Sequence, residues 1–189
     1  MNTSISQEQL YDMSYTLIKK KANSNSFIQG ISGIAGFPTT IAVDGIVIFS
    51  HYAPMINEIR ALYGYAPLTG NALSPIMKSI GKEILFDITV DKFLGQVPVA
   101  GIYFNAICAK ALTWRLGMLF TIVSSRDEEI NCESLSKVVK LIRNLTPQSD
   151  IFKFEKPDYN MFKKLVLSVC DDDFITYDRK IEQAMNAFD

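Results

Sequence analysis

Apolar residues along this chain recur at three- and four-residue intervals, broken by short runs of polar residues, glycine and proline. Ser6 followed by Gln9 has the form of a capping box, in which the hydroxyl accepts from the third backbone N–H and the amide reaches back. Behind it Leu10, Met13 and Leu17, with Tyr11, Tyr15 and Ile18 beside them, mark a broad apolar face and predict a first helix ending near Asn23. Phe27 to Ala53 is apolar and rich in small residues, punctuated by Gly30, Gly33, Gly36 and Pro38. Each helical glycine costs about 1 kcal/mol of propensity, so a short, loosely helical stretch is expected at its start. Thr39 or Thr40 can cap a helix through Ile41, Val43, Ile46, Val47 and Phe49. Pro54 lacks an N–H and its ring meets the carbonyl of Ser50, which predicts a kink or a restart. Met55, Ile56, Ile59, Leu62 and Tyr63 carry the stripe on, and Gly64 is placed for the left-handed position after the last turn.

Asn71 can cap a further helix whose core face is Leu73, Ile76, Met77, Ile80, Ile84 and Ile88, with Gly81 inside and Gly95 at its stop. After Pro98 comes a second long apolar segment, Val99 to Val123, then a polar, acidic connection from Ser124 to Asn131 that reads as an exposed loop. Three shorter amphipathic helices fill 132–189: Leu135, Val138, Val139, Ile142 and Leu145 before Pro147; Tyr159, Phe162, Leu165, Val166 and Val169 after a capping Asp158; and Phe174, Tyr177, Ile181 and Phe188. Ile151 to Phe154 alternates apolar and charged residues but is too short to make a sheet alone. The pattern predicts an all-α fold: one helical bundle over 1–189, with two glycine-rich apolar core helices or hairpins and shorter amphipathic C-terminal helices.

Both apolar segments reach the roughly 20 residues that a membrane-spanning helix needs. Their content argues against spanning. Asp44 sits inside the first, and the second carries Asn105, Lys110 and Arg115, which point in three different directions at 100° per residue. Ions at mid-bilayer cost several kcal/mol, about 3 on the gentler scales. A buried hairpin, or a segment entering a membrane only conditionally, fits better. An unpaired buried charge is expensive, so Asp44 is expected to pair with Lys110 or Arg115 where the two segments pack.

Composition narrows the function classes. The 189 residues are 48% hydrophobic and 21% charged, enough for one good core and far from the signature of disorder. Nineteen basic against twenty acidic residues leave a net charge of -1, which disfavours nucleic acid as a partner. The basic run Lys19, Lys20 and Lys21 reads as the C-terminal end of the first helix, where cations meet the negative end of the dipole. Cys108, Cys132 and Cys170 are odd in number and widely spaced, as in a reducing compartment, and Met1 to Gln9 lacks the basic and apolar regions of a secretory signal. A cytoplasmic location, with membrane association open, is the expectation.

Enzymatic signatures are sparse. His51 is the one histidine, which leaves little scope for a zinc site and no identified partner to orient it as a base for Ser50 or a cysteine. Gly30-x-x-Gly33-x-x-Gly36 lacks the Gly-x-Gly start of a dinucleotide fingerprint and the Gly-Lys-Ser/Thr end of a phosphate loop, so close helix packing is the better reading. Asp171, Asp172 and Asp173 read as a cap and first-turn acids, because consecutive carboxylates diverge and no calcium-loop spacing is present. Asp127, Glu128 and Glu129 read as solvating a loop, and the aromatic residues fall at helical spacing, as in a core. No catalytic, cofactor-binding or metal-binding residue is predicted. A pocket gathering Asp44, Asn105 and His51 would reopen the enzymatic possibility.

Two stretches, Gly33 through Gly64 and the segment from Val97, resemble the paired core motifs of the EcsC family, and a related-looking bacterial domain of unknown function found with GTPase-like or membrane-anchored modules. The matching features are Gly36-x-Pro38, the Asp44 position, Ile59 to Tyr65 ending in Leu-Tyr-Gly-Tyr, Val97-Pro98-x-x-Gly101, Asn105, and Thr113 before Gly117. The similarity covers a core at about 27–123, and it rests on small and apolar residues. Lys110 and Arg115 make the second motif more polar than a membrane-inserting version would be. The resemblance implies a helical protein, often associated with membranes or with transport and secretion systems, and no catalytic residues.

The sequence therefore raises the expectation of a non-enzymatic helical accessory protein. It would act at a membrane surface or on a membrane-bound or transport and secretion partner, with no cofactor. The alternative is a soluble protein-binding adaptor, or an immunity-type protein neutralising a cognate partner. A protein partner is expected in either case.

Overall fold

The computed structural model describes residues 5–32, 45–72, 75, 84, 98–126, 130–145, 159–160, 162–163 and 166. Within them lie α1 (Gln7–Ser32), α2 (Gly45–Leu62), α3 (Pro98–Ser125) and α4 (Cys132–Leu145). Helical conformation also occurs at 70–72, 75 and 84, and in a C-terminal segment at Tyr159, Asn160, Phe162, Lys163 and Val166. No strand occurs among the described residues, and the helices pack on one another, which makes the fold all-α.

The axis of the bundle is α3. It packs against α1, α2 and α4, most extensively along α1. Every residue from Ala111 to Ser125 is buried, and that run covers the whole circumference of the helix. A helix apolar on all sides is stable in water only when other elements surround it. Pro98 opens it, at the position where a missing N–H does no harm. Thr113 Oγ1 donates to the Ala109 carbonyl at 2.7 Å, and the Tyr52 hydroxyl from α2 reaches the same carbonyl at 3.5 Å.

The capping box of α1 forms as expected: Ser6 N donates to Gln9 Oε1 at 2.8 Å, and Gln9 N donates to Ser6 Oγ at 3.2 Å. The helix does not end near Asn23. It runs on to Ser32, so Lys19, Lys20 and Lys21 lie mid-helix rather than at a terminus. The reason is visible in the spacing: Ile18 and Ala22 stay buried on one side while Lys19, Lys20, Asn23 and Ser24 are exposed on the other. The buried stripe is Tyr11, Ser14, Ile18 and Ala22, with Ser14 Oγ satisfied by the Leu10 carbonyl at 2.9 Å. Leu10, Tyr15 and Leu17 are half-buried, and Met13 is 45% exposed rather than part of the core.

Pro54 does not restart α2, which is continuous through it. Pro54 is exposed. Gly64 takes φ +83, and the ending is a Schellman motif: Tyr65 N donates to Arg60 O at 3.0 Å and Gly64 N to Ala61 O at 3.1 Å. The chain that follows is tied back to α2. Asn57 Oδ1 accepts from Leu68 N at 2.9 Å, its Nδ2 donates to Leu68 O at 3.4 Å, and Arg60 Nε donates to Ala66 O at 3.1 Å. The next helical turn already includes Gly70, with Ala72 N bonded to Thr69 O at 3.1 Å, so Asn71 lies inside the turn rather than capping it. Of the core face expected there, Ile84 is buried, and Leu73, Ile76, Met77, Ile80, Ile88, Gly81 and Gly95 lie outside the described residues.

The connection after the second apolar segment is shorter than the sequence suggests. Ser124 and Ser125 belong to the last turn of α3 and are buried, with Ser125 Oγ donating to the Ile122 carbonyl at 2.8 Å. Asn131 caps α4 instead of closing a loop: its Oδ1 accepts from Glu133 N and Ser134 N, each at 3.0 Å. Leu135, Val138, Val139 and Ile142 form the buried face of α4, as their spacing predicts. Phe162 and Val166 bring the C-terminal segment onto the core, and Asp158 and the stretches 146–157 and 167–189 lie outside the described residues.

Candidate functional site

Because Tyr11, Ser14, Ile18 and Ala22 are the buried residues of α1, the neighbouring residues Met13, Thr16, Leu17 and Lys20 are left to form one wall of a trough alongside α2. Glu58, Ala61 and Leu62 form the other wall, and Asp12 closes one end. The groove has a volume of about 630 Å³ and opens to solvent. Lys21 and Glu58 pair across the two helices at 3.3 Å, at the end opposite Asp12. An apolar floor with charges only at its ends suits the side chains of another protein. A small polar substrate would need converging donors and acceptors.

Asp12 also belongs to the seam where α1 meets the C-terminal segment. Tyr159 Oη donates to Asp12 Oδ1 at 2.5 Å, Tyr11 Oη donates to the Tyr159 carbonyl at 3.1 Å, and Lys163 pairs with Glu8. The rings of Tyr11, Tyr15, Tyr159 and Phe162 pack edge-on or tilted, and Tyr15 reaches Trp114 of α3 at 5.1 Å. Burial drives the Tyr11 hydroxyl far above its ordinary range, the bond to Asp12 raises Tyr159, and the bond to Glu8 raises Lys163. Each shift deepens the protonated form these groups already hold near neutrality. None is thereby tuned as an acid or base.

Only some of the residues that the sequence singled out are among the described ones. His51 is exposed and meets the Tyr52 ring edge-on at 5.0 Å. Asp44, Asp127 to Glu129, Asp171 to Asp173 and Cys170 lie outside the described residues, as do Gly33 and Gly36 and the side chains of Asn105, Cys108 and Cys132. Arg115 is buried at 1% exposure and donates from Nη1 to the Ile84 carbonyl at 3.1 Å, while Lys110 is half-buried. Among the described residues no group of three or more His, Cys, Asp or Glu gathers as a metal site.

Partial desolvation lowers the pKa of His51 below its usual 6.5. A histidine whose folded value is depressed favours the folded state in its neutral form. Stability from this group is therefore complete above pH 6.5 and is lost as pH falls through that value, levelling off below the folded pKa. Because it is the one histidine in the chain, its imidazole proton signals titrate alone in an NMR series. They are expected to give a midpoint below 6.5, and His51→Asn is expected to flatten the denaturation midpoint between pH 7.5 and pH 5.5 relative to wild type. An equal slope in both proteins would refute the assignment.

Compared with family models, with curated proteins and with solved structures, the chain matches none.

Proposed function

We propose that this chain is a non-enzymatic helical accessory protein that works by protein contact, with the groove between α1 and α2 as its contact surface. The observation that carries this reading is the enclosure of α3. The second apolar segment, which could have been a lipid-seeking element, is surrounded by protein from Ala111 to Ser125 and holds a buried arginine in its middle. Among the described residues no helix is long and apolar enough to cross a membrane. Among the described residues the groove is an apolar surface left open, with Met13 at its lip. The EcsC-like motifs of the sequence accord with an accessory role beside a membrane-bound or transport and secretion partner.

Liposome flotation of the full chain, with neutral and with anionic vesicles at low and at physiological salt, tests the reading. The protein is expected to stay with the soluble fraction at physiological salt. Flotation confined to anionic vesicles at low salt is screened surface attraction through Lys19 and Lys20 and leaves the reading in place. Flotation that survives physiological salt with neutral vesicles would mean insertion and would overturn it.

A further inference from the structure

We infer that the occupant of the α1–α2 groove is a second copy of this chain, docked about a two-fold axis that passes beside Thr16. This rests on the reading of the groove as a protein-contact surface and names its partner.

The argument is the order of charges along the exposed stripe of α1. Asp12, Met13, Thr16, Leu17 and Lys20 all line the groove, with the carboxylate at one end and the ammonium at the other. Asp12 and Lys20 stand four residues to either side of Thr16, about 6 Å along the axis at 1.5 Å per residue. An antiparallel copy turned about Thr16 therefore brings Asp12 of each chain level with Lys20 of the other, twice in one interface. Such self-complementarity is what an isologous contact requires. A parallel copy in register would set like charges together, which is costly.

Of the remaining charges near the groove, Lys163 also lies within electrostatic reach of Asp12, while its ion pair is made to Glu8. Glu58 is matched to Lys21 at 3.3 Å and Glu8 to Lys163, while Lys20 is exposed and has no ion pair among the described residues. Tyr159 Oη takes one carboxylate oxygen of Asp12, leaving the other for an incoming ammonium. Between the charged ends, Met13 supplies an unbranched, adaptable side chain that is 45% exposed, and Leu17, Ala61 and Leu62 supply the apolar wall it enters on the other copy.

Sedimentation velocity on the full chain tests this with charge reversals. Wild type is expected to sediment as a dimer at micromolar concentration, more weakly at high salt. Asp12→Lys alone faces lysine with lysine and Lys20→Asp alone faces aspartate with aspartate, so each is expected to weaken self-association at least about tenfold. An equimolar mixture of the two is expected to dimerise again, because every cross-chain pair is then of opposite sign. Circular dichroism checks the fold. Should Asp12→Lys unfold through loss of the Tyr159 bond, Met13→Glu must abolish the dimer in its place. A wild type that stays monomeric, single reversals that associate like wild type, or a mixture that fails to dimerise would each overturn the inference. A monomer that also does not float refutes the dimer and leaves the protein-contact reading standing, whereas salt-resistant flotation refutes both.

Discussion

Replacing Gly117 with alanine is expected to destabilise the fold by up to about 2 kcal/mol, although alanine is the better helix former. A Cβ at this position of α3 would lie 2.5 Å from Cγ1, 2.7 Å from Cδ1 and 2.8 Å from Cγ2 of Ile18. Those distances are far inside van der Waals contact. A β-branched side chain in a helix has essentially one χ1 well, so Ile18 cannot swing aside and α1 must lift off α3 instead. Overpacking of this kind costs about 1–3 kcal/mol, against a propensity gain of about 1. Gly117→Val adds two more carbons and is expected to lose about 3 kcal/mol. Ile18→Ala on its own should cost about 2–4 kcal/mol by leaving a cavity, and the pair Gly117→Ala with Ile18→Ala should lose less than the sum, because the new methyl enters the vacated space. Urea denaturation of the four proteins reads this directly. Additive losses, or a Gly117→Ala protein more stable than wild type, would mean the helices do not cross here.

Arg115→Ala is expected to be the most damaging single truncation in α3, at about 3–5 kcal/mol. The side chain is 1% exposed, and its Nη1 donates to the Ile84 carbonyl 31 residues away at 3.1 Å. Truncation empties a large volume in a closed core and removes the donor from a buried carbonyl. Arg115→Met keeps the volume of the aliphatic stem and gives up the cation, so it should lose distinctly less. The ordering separates two pictures of the segment. In a core helix wrapped by protein, alanine is much worse than methionine and both unfold earlier than wild type. In a helix whose natural surroundings are lipid, removing the cation would leave stability in water untouched, and an Arg115→Ala protein within about 0.5 kcal/mol of wild type would point that way.

Local signals read well from sequence because they are made within a few residues. Ser6 with Gln9, Gly64 after Leu62, Pro98 at the first turn of α3 and the 135–138–139–142 stripe all depend on neighbours three or four positions away, and all are in the structure. The groove was not legible. Met13 and Leu17 share the apolar arc of α1 with Tyr11 and Ile18, and periodicity says which residues lie on one face without saying how wide a strip the facing helix covers. In the fold the C-terminal segment meets Tyr11, α3 meets Tyr15 and Ile18, and Met13 is left at the lip. The length of α1 was hidden for a related reason. Three lysines and Asn23 look like an ending, but Lys19, Lys20 and Asn23 occupy the solvent side of a helix whose buried side continues through Ile18 and Ala22, and Lys21 pairs with Glu58 of α2. Arg115 could be flagged as a buried charge from its place in an apolar run, but a backbone carbonyl such as that of Ile84, to which its Nη1 donates, is marked by no side-chain pattern; Asp44, expected to pair with Lys110 or Arg115, lies outside the described residues.

Hydrogen exchange of the full chain, followed by mass spectrometry with and without anionic vesicles, tests most directly whether α3 is the protein-enclosed core. Peptides covering 111–125 are expected to be the slowest in the molecule in plain buffer, opening only with global unfolding, and to be unchanged by vesicles. Rapid exchange of 111–125 in buffer, with protection appearing only when vesicles are added, would contradict that picture and make the segment a membrane-seeking helix.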